Sequence, residues 1–167
     1  MITTDVRILE AIRARGHVNI RATHRTTLEI TTEENLTPRG DCIIGVKANK
    51  AARDLRPEAK EYLRSGQRVL LALVLPGQGL YDTFYARGHP DLTFTDRTSI
   101  VVRKSSYIDG RTIAVNSQKA AYEIDRRIIE EIKNPDAVLL LYILPGEASQ
   151  SEVLEAIRED LDVDSEQ

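Results

Sequence analysis

Between Gly16 and Cys42 the chain concentrates groups able to move protons, hold a metal or bind an anion: His17, Asn19, His24, Thr26, Thr27, Glu29, Arg39, Asp41 and Cys42. His24 with Glu29 or Asp41 makes an acid–base pair if the fold brings them within hydrogen-bond reach. His17, His24, Glu29 and Asp41 together supply enough nitrogen and oxygen ligands for zinc or a harder divalent ion. Their spacing does not fix such a site, because His17 and His24 stand seven apart in an irregular segment, with no H-x-x-x-H or C-x-x-C pattern. Arg25, Arg39 and Lys47 are cations suited to an anionic substrate, with Asn19, Thr26 and Thr27 as hydrogen-bonding groups beside them. Cys42 opens an apolar run, where a free cysteine behaves as a small inert hydrophobe. No P-loop, G-x-G-x-x-G or G-x-S-x-G motif occurs. The Arg39-Gly40-Asp41 triplet is not a cell-adhesion signal in a chain without secretion features.

An internal repeat sorts these residues. Leu9–Thr32 aligns with Tyr81–Lys104 at an offset of 72, matching Ala14-Arg15-Gly16-His17 with Ala86-Arg87-Gly88-His89, and Thr23, Arg25 and Thr26 with Thr95, Arg97 and Thr98. After a turn three residues shorter in the second copy the offset becomes 69. Lys50-Ala51-Ala52 then meets Lys119-Ala120-Ala121, Val69-Leu70-Leu71 meets Val138-Leu139-Leu140, and Leu75-Pro76-Gly77 meets Leu144-Pro145-Gly146. Three blocks agreeing in order and spacing point to a tandem duplication. Residues present in both copies, such as His17/His89, Arg15/Arg87 and Lys50/Lys119, are explained most simply by the fold, although a pseudo-dyad could bring both histidines to one centre. Unmatched polar residues mark acquired function or drift: His24 against Asp96, Glu29 against Val101, Asn19 against Asp91, and Asp41 and Cys42 against Arg111 and Thr112.

The elements that must position these groups read as β-β-β-α-β in each copy. Strands are expected at about 7–15, Thr26–Thr31 and Cys42–Val46, with Leu28 and Ile30 on one face of the second and Thr27, Glu29 and Thr31 on the other. The apolar residue Val101 at the Glu29 position of copy two implies cover there, which the final helix could supply. A helix is expected over 49–65, N-capped by Asn49, interrupted at Pro57 and stopped by Gly66. Val69–Leu75 is apolar on both faces, the pattern of a central buried strand. Copy two repeats the plan, with its helix at about 120–133. A last helix over about 151–161 starts at a Ser149/Glu152 capping box and gathers Val153, Leu154, Ile157 and Leu161 on one face. The fold class is therefore α+β: two pseudo-symmetric β-β-β-α-β halves (1–77 and 78–146) forming one curved sheet or barrel-like domain, then a C-terminal helix (147–161) and an acidic tail (162–167).

Charge is uneven. Residues 147–167 hold eight acidic groups and one arginine, a local charge of −7 that leaves +4 on residues 1–146 within a net charge of −3. A mildly basic body favours a phosphate-bearing partner but is far from a nucleic-acid signature. No apolar run approaches the roughly 18 residues of a membrane helix, so no membrane partner is expected. The first residues lack a secretory pattern, and one cysteine excludes an intrachain disulfide framework. Both place the chain in a reducing cytoplasm.

The run Arg15-Gly16-His17 through Thr31, followed by Leu36-Thr37-Pro38-Arg39-Gly40-Asp41-Cys42-Ile43-Ile44-Gly45-Val46, resembles an uncharacterised archaeal family, domain of unknown function 371, over most of the chain. That resemblance implies an archaeal cytosolic protein and transfers no catalytic role. Pro38-Arg39-Gly40-Asp41 before an apolar strand is also similar to the GD box of cradle-loop and double-psi barrels. The leading functional expectation is a small cytosolic enzyme or ligand-binding protein acting on an anionic or phosphate-bearing small molecule, with its site in the first repeat and a divalent metal as the candidate cofactor. A nucleic-acid-binding or nuclease-like protein is the second reading, testable by salt-dependent binding that improves on removing residues 147–167. A non-enzymatic assembly component, dimerising through strand edges, is the third.

Overall fold

The computed structural model describes residues 7–163, with side chains through Arg158. Its eight strands are β1 (Glu10–Arg15), β2 (Thr27–Thr31), β3 (Ile43–Gly45), β4 (Arg68–Leu75), β5 (Leu80–Arg87), β6 (Ser99–Arg103), β7 (Thr112–Ala114) and β8 (Val138–Pro145). The helices are α1 (Pro57–Arg64), between β3 and β4, α2 (Arg126–Glu131), between β7 and β8, and the terminal α3 (Gln150–Val163). The chain thus runs through the order β-β-β-α-β twice. The strands make two four-stranded sheets, β1-β8-β4-β5 and β3-β2-β6-β7. In place of the expected single curved sheet or barrel-like domain, the described residues form two sheets and no closed barrel. The sheets meet through only two isolated bridges, Arg15 with Val46 and Arg87 with Val115, because the chain turns away immediately afterwards at Gly16 and Gly88. A Cβ at Gly16 would overlap the carbonyls of Ile132 and Asn134, and one at Gly88 the carbonyl of Leu63, so only glycine permits that approach.

The core lies between the sheets. Ile12, Leu28, Ile30, Val69, Leu71, Leu73, Ile100, Val102, Leu139, Leu141 and Ile143 belong to one buried cluster, the alternate residues of strands that present one face inward. The strand expected at Val69–Leu75 is buried along its length and sits between β8 and β5. It is apolar on its other face too because α3 packs there: Leu70, Ala72, Val74, Tyr142 and Leu144 form a second cluster with Val153 and Ile157. Helix α3 therefore covers β4 and β8, and not the β6 face carrying Val101. Leu161 and residues 164–167 of the acidic tail lie outside the described side chains and backbone respectively.

Local chemistry moves several boundaries. Pro57 starts α1 instead of kinking it: its absent N–H costs nothing at the first helical position, and Arg56 before it is extended (ψ 146°). The preceding residues form only a 3-10 turn, Ala52–Asp54, and Asn49 bonds Arg13 through its side chain and backbone instead of capping a helix. A 3-10 turn, Ala121–Glu123, likewise precedes α2, whose N-cap Asp125 accepts from the Arg127 amide at 2.9 Å. Gly66 ends the first helical segment at φ +80° as expected.

One register differs from the sequence alignment. The offset of 69 pairs Val69 with Val138, yet the core faces match Val69, Leu71 and Leu73 with Leu139, Leu141 and Ile143, an offset of 70. From helix start to strand start, Arg126 to Val138 is one residue longer than Pro57 to Arg68, and period-two alternation converts that residue into a change of face.

Candidate functional site

Each strand of the β3-β2-β6-β7 sheet turns one set of residues to the core and the other outward. Leu28 and Ile30 on β2, and Ile100 and Val102 on β6, point inward, so Thr27, Glu29 and Thr31 share the outer face with Ser99, Val101 and Arg103. The antiparallel register sets Glu29 opposite Val101, Thr27 opposite Arg103 and Thr31 opposite Ser99. This outer face is largely buried: Val101 and Thr112 are fully covered, and Ser99 and Arg103 are less than a tenth exposed.

A connected polar network occupies it. Glu29, whose side chain is 12% exposed, accepts from Ser99 Oγ at 2.9 Å and from the Cys42 thiol at 3.5 Å. Arg111 Nη1 lies 3.7 Å from Glu29 Oε1. The other edge of the same guanidinium is fixed on Asp109, through Nε at 3.2 Å and Nη2 at 2.9 Å. Asp109 also receives Arg103 Nη2 at 2.9 Å, and Arg103 Nε donates to Thr112 Oγ1. Two carboxylates and two guanidiniums balance, which is the condition for keeping such groups partly out of water. Burial opposes ionisation of Asp109, but hydrogen bonds from Arg111, with the charges of Arg103 and Arg111, hold its carboxyl down to about 2. Burial acts first on Cys42, and the charge and hydrogen bond of Glu29 add to it, pushing the thiol up to about 12. A thiol held protonated in that way is no nucleophile at neutral pH.

Of the residues singled out in sequence, Glu29 and Cys42 meet in this network. The others have separate places. His17 Nδ1 accepts from the Asn19 amide at 3.0 Å, as His89 Nδ1 does from Asp91. Asn19 Nδ2 donates to the Leu36 carbonyl. His24 Nδ1 accepts from the Thr26 and Thr27 amides at 3.2 and 3.1 Å, the task that Asp96 Oδ2 performs for Thr98 and Ser99. The contribution of Asp41 is its backbone carbonyl, which accepts from the amides of Thr23 and His24. Arg25 is exposed and lies over the Tyr122 ring at 5.6 Å. Thr26 Oγ1 is 3.4 Å from Thr27 Oγ1. Arg39 and Lys47 are exposed, and Lys47 holds a left-handed φ of +53°. Among the described residues no three His, Cys, Asp or Glu side chains form a metal-binding group. The expected set of His17, His24, Glu29 and Asp41 is therefore not assembled: both imidazole Nδ1 atoms are engaged by backbone amides.

The second-copy half of the network (Ser99, Arg103, Asp109, Arg111 and Thr112) was not among the sequence candidates. The alignment set Asp41 and Cys42 against Arg111 and Thr112, whereas the backbone matches them with Gly110 and Arg111: Glu29 N bonds Cys42 O as Val101 N bonds Arg111 O. The usable signal was the sequence similarity between Leu9–Thr32 and Tyr81–Lys104. If β2 and β6 pair across a pseudo-dyad, the flanks of Val101 must lie beside Glu29.

A family model described as a domain of unknown function (DUF371) matches residues 12–145. The chain is also 41% identical over 133 residues to the uncharacterized protein MJ0206 of the archaeon Methanocaldococcus jannaschii, covering 80% of this chain and 97% of that protein. Neither description carries an activity. Among the described residues no helix is long and apolar enough to cross a membrane.

Proposed function

The chain belongs to the DUF371 family, and from that premise we propose that it binds a small anionic or phosphate-bearing molecule where Arg111 and Glu29 face each other. The observation that carries this reading is the 3.7 Å gap between Arg111 Nη1 and Glu29 Oε1, too long for a direct hydrogen bond. One edge of the guanidinium is anchored on Asp109 while the other faces a carboxylate it does not bond, and the Arg111 side chain is 42% exposed. A ligand offering an anionic oxygen to Nη1 and a donor to Oε1 would complete both groups. Ser99 and Asp109 already fix their orientation, so little ordering is left to the ligand. Binding is favoured over turnover because the Cys42 thiol is held protonated and the hydrogen bonds of His17 and His24 lie outside this network. A cytoplasmic location is part of the proposal, on the strength of one unpaired cysteine.

The proposal includes the tandem duplication of residues 1–77 and 78–146. Its support is self-complementary pairing: Glu29 opposes Val101, its counterpart at an offset of 72, and Ala72 opposes Tyr142. The left-handed residues recur as Ala22 with Phe94 and Lys47 with Asn116. Isothermal titration with inorganic phosphate, pyrophosphate and small phosphate monoesters tests the site. At least one should bind to the native chain, Arg111→Ala should abolish binding, and Arg111→Lys should retain part of it. Equal affinity in Arg111→Ala, or no heat from any of these probes, would refute the assignment.

A further inference from the structure

A different group of residues, independent of the Arg111 reading, lies at the start of β2. Tyr122 is 38% exposed, and its backbone amide donates to the His24 carbonyl at 3.1 Å. Two cations flank its ring, Arg25 and Lys104, each 5.6 Å from the centroid, near the outer limit of about 6 Å for such contacts. Arg25 has no ion pair among the described residues, while Lys104 pairs with Glu123 at 2.8 Å. A further cation nearby, Arg126, is fixed on the backbone, donating from Nη1 to the carbonyls of Ala22, Ala121 and Tyr122 and from Nη2 to that of Arg21. Two cations and one carboxylate therefore stand at an exposed aromatic ring. His24 accepts two amides at Nδ1, so its neutral ring carries the proton on Nε2 and has a donor left to offer.

The counterpart in the other half gives the contrast. Arg53 N donates to the Asp96 carbonyl as Tyr122 N does to that of His24, and Thr32 N bonds Thr98 O as Lys104 N bonds Thr26 O. The backbone is the same, yet aspartate stands for histidine, arginine for tyrosine and threonine for lysine. Backbone geometry thus does not require the aromatic ring, the lysine or the imidazole, and the other place carries an anion where a phosphate would have to approach.

We infer that the Tyr122 surface binds a nucleotide unit, its base stacked on the tyrosine ring and its phosphate held by Arg25 with Lys104. Arg25, which has no ion pair among the described residues, can leave the ring face to a base and turn to the phosphate, and stacking on an exposed aromatic tolerates any base because every base has a π-face. The same chemistry is offered by a free nucleotide and by a single strand.

Fluorescence anisotropy with a labelled ten-nucleotide oligoadenylate, and isothermal titration with AMP, test this on the full chain at low salt. Wild type should bind one or both, and AMP bound with no gain from the oligomer would identify free nucleotide as the ligand. Tyr122→Ala should weaken binding roughly 5- to 150-fold, and Tyr122→Phe should preserve it. Arg25→Ala should weaken binding and lower its salt dependence. Arg97→Ala, in the counterpart place, should leave binding unchanged, and so should Arg111→Ala, which separates this surface from the site proposed above. No binding of either probe, or a Tyr122→Ala chain that binds like wild type, would overturn the inference.

Discussion

The carboxylate of Glu10 faces the core from β1 with its side chain only 3% exposed. Lys50 Nζ reaches Oε1 at 2.9 Å, and the Arg56 amide reaches Oε2 at 2.7 Å. Asp82 on β5 is held alike, by Lys119 Nζ at 2.8 Å and the Asp125 amide at 2.8 Å. Lys50→Met keeps the aliphatic stem but leaves the buried charge with only the more distant Arg56 guanidinium, 4.0 Å away. Breaking a fully buried pair costs about 3–5 kcal/mol. Here the carboxylate keeps its backbone donors and the lysine is about a quarter exposed, so about 2–3 kcal/mol is expected. Lys119→Met should cost about the same. β1 and β5 are the two edges of their sheet, three strand spacings or about 14 Å apart. The two losses should therefore add, to about 4–6 kcal/mol. Urea unfolding at pH 7, followed by far-UV circular dichroism, measures all three variants, and each single change should lower Tm by about 4–12 °C. Glu10→Gln added to Lys50→Met should restore part of the loss, because the uncompensated charge is gone. A loss below about 1 kcal/mol, a double variant no worse than a single one, or a Glu10→Gln that deepens the defect would refute the reasoning.

Three further outcomes follow from the same geometry. His24→Asp should fold as stably as wild type, since Asp96 does the same work in the other half, while His24→Leu should lose about 1 kcal/mol as the Thr26 and Thr27 amides lose their acceptor; denaturant midpoints decide, and equal losses in both variants would count against that equivalence. The carboxyl of Asp109 is depressed to about 2 from an ordinary 3.8, so its contribution to stability is complete above about pH 4 and disappears as pH falls towards 2; Asp109→Asn should be less stable at pH 5 and should lose less than wild type on going to pH 2.5. With its thiol near 12, Cys42 should react with iodoacetamide at pH 8 roughly 100-fold or more slower than in urea, and Glu29→Gln should speed the native reaction; native and unfolded rates within a few-fold of each other would exclude a protonated, covered thiol.

Strand periodicity made much of the fold legible. The alternation around Leu28 and Ile30, the doubly apolar Val69–Leu75 and the glycine at 66 all stand where the sequence predicts, because each is a local consequence of pleat or turn geometry. Elements decided elsewhere in the chain were not legible. Pro57 has the same identity at a helix start as at a kink, and only the extended Arg56 before it separates the two. A single added residue before β8 was invisible to an alignment that could slide the Leu-Pro-Gly match by one. The candidate site was half legible for a related reason. Glu29 stood out as a polar residue facing an apolar counterpart, but Arg111 became relevant only once β2 lay against β6, a pairing across 72 residues.

That pairing also bears on why positions 29 and 101 carry different residues. Glu29 N bonds Cys42 O, and Val101 N bonds Arg111 O, so both amides point away from the strand pair. Glu29 and Val101 therefore occupy a non-hydrogen-bonded position, where facing Cα atoms are only about 4.5 Å apart and side chains are closest. In a duplicated chain whose strands pair about a pseudo-dyad, a residue on the axis faces its own counterpart. A glutamate in both copies would put like charges directly opposite each other on a covered face, which is destabilising, and Arg111 could neutralise only one of them. Glutamate at 29 facing valine at 101 leaves one carboxylate at this position. Val101→Glu should then unfold at lower urea than wild type at pH 7, with the deficit shrinking as pH is lowered through the carboxylate range and one glutamate becomes neutral. Val101→Gln, which brings similar bulk without charge, should show no such recovery. Identical pH profiles for the two variants would mean that volume, and not charge, decides what the axis can hold.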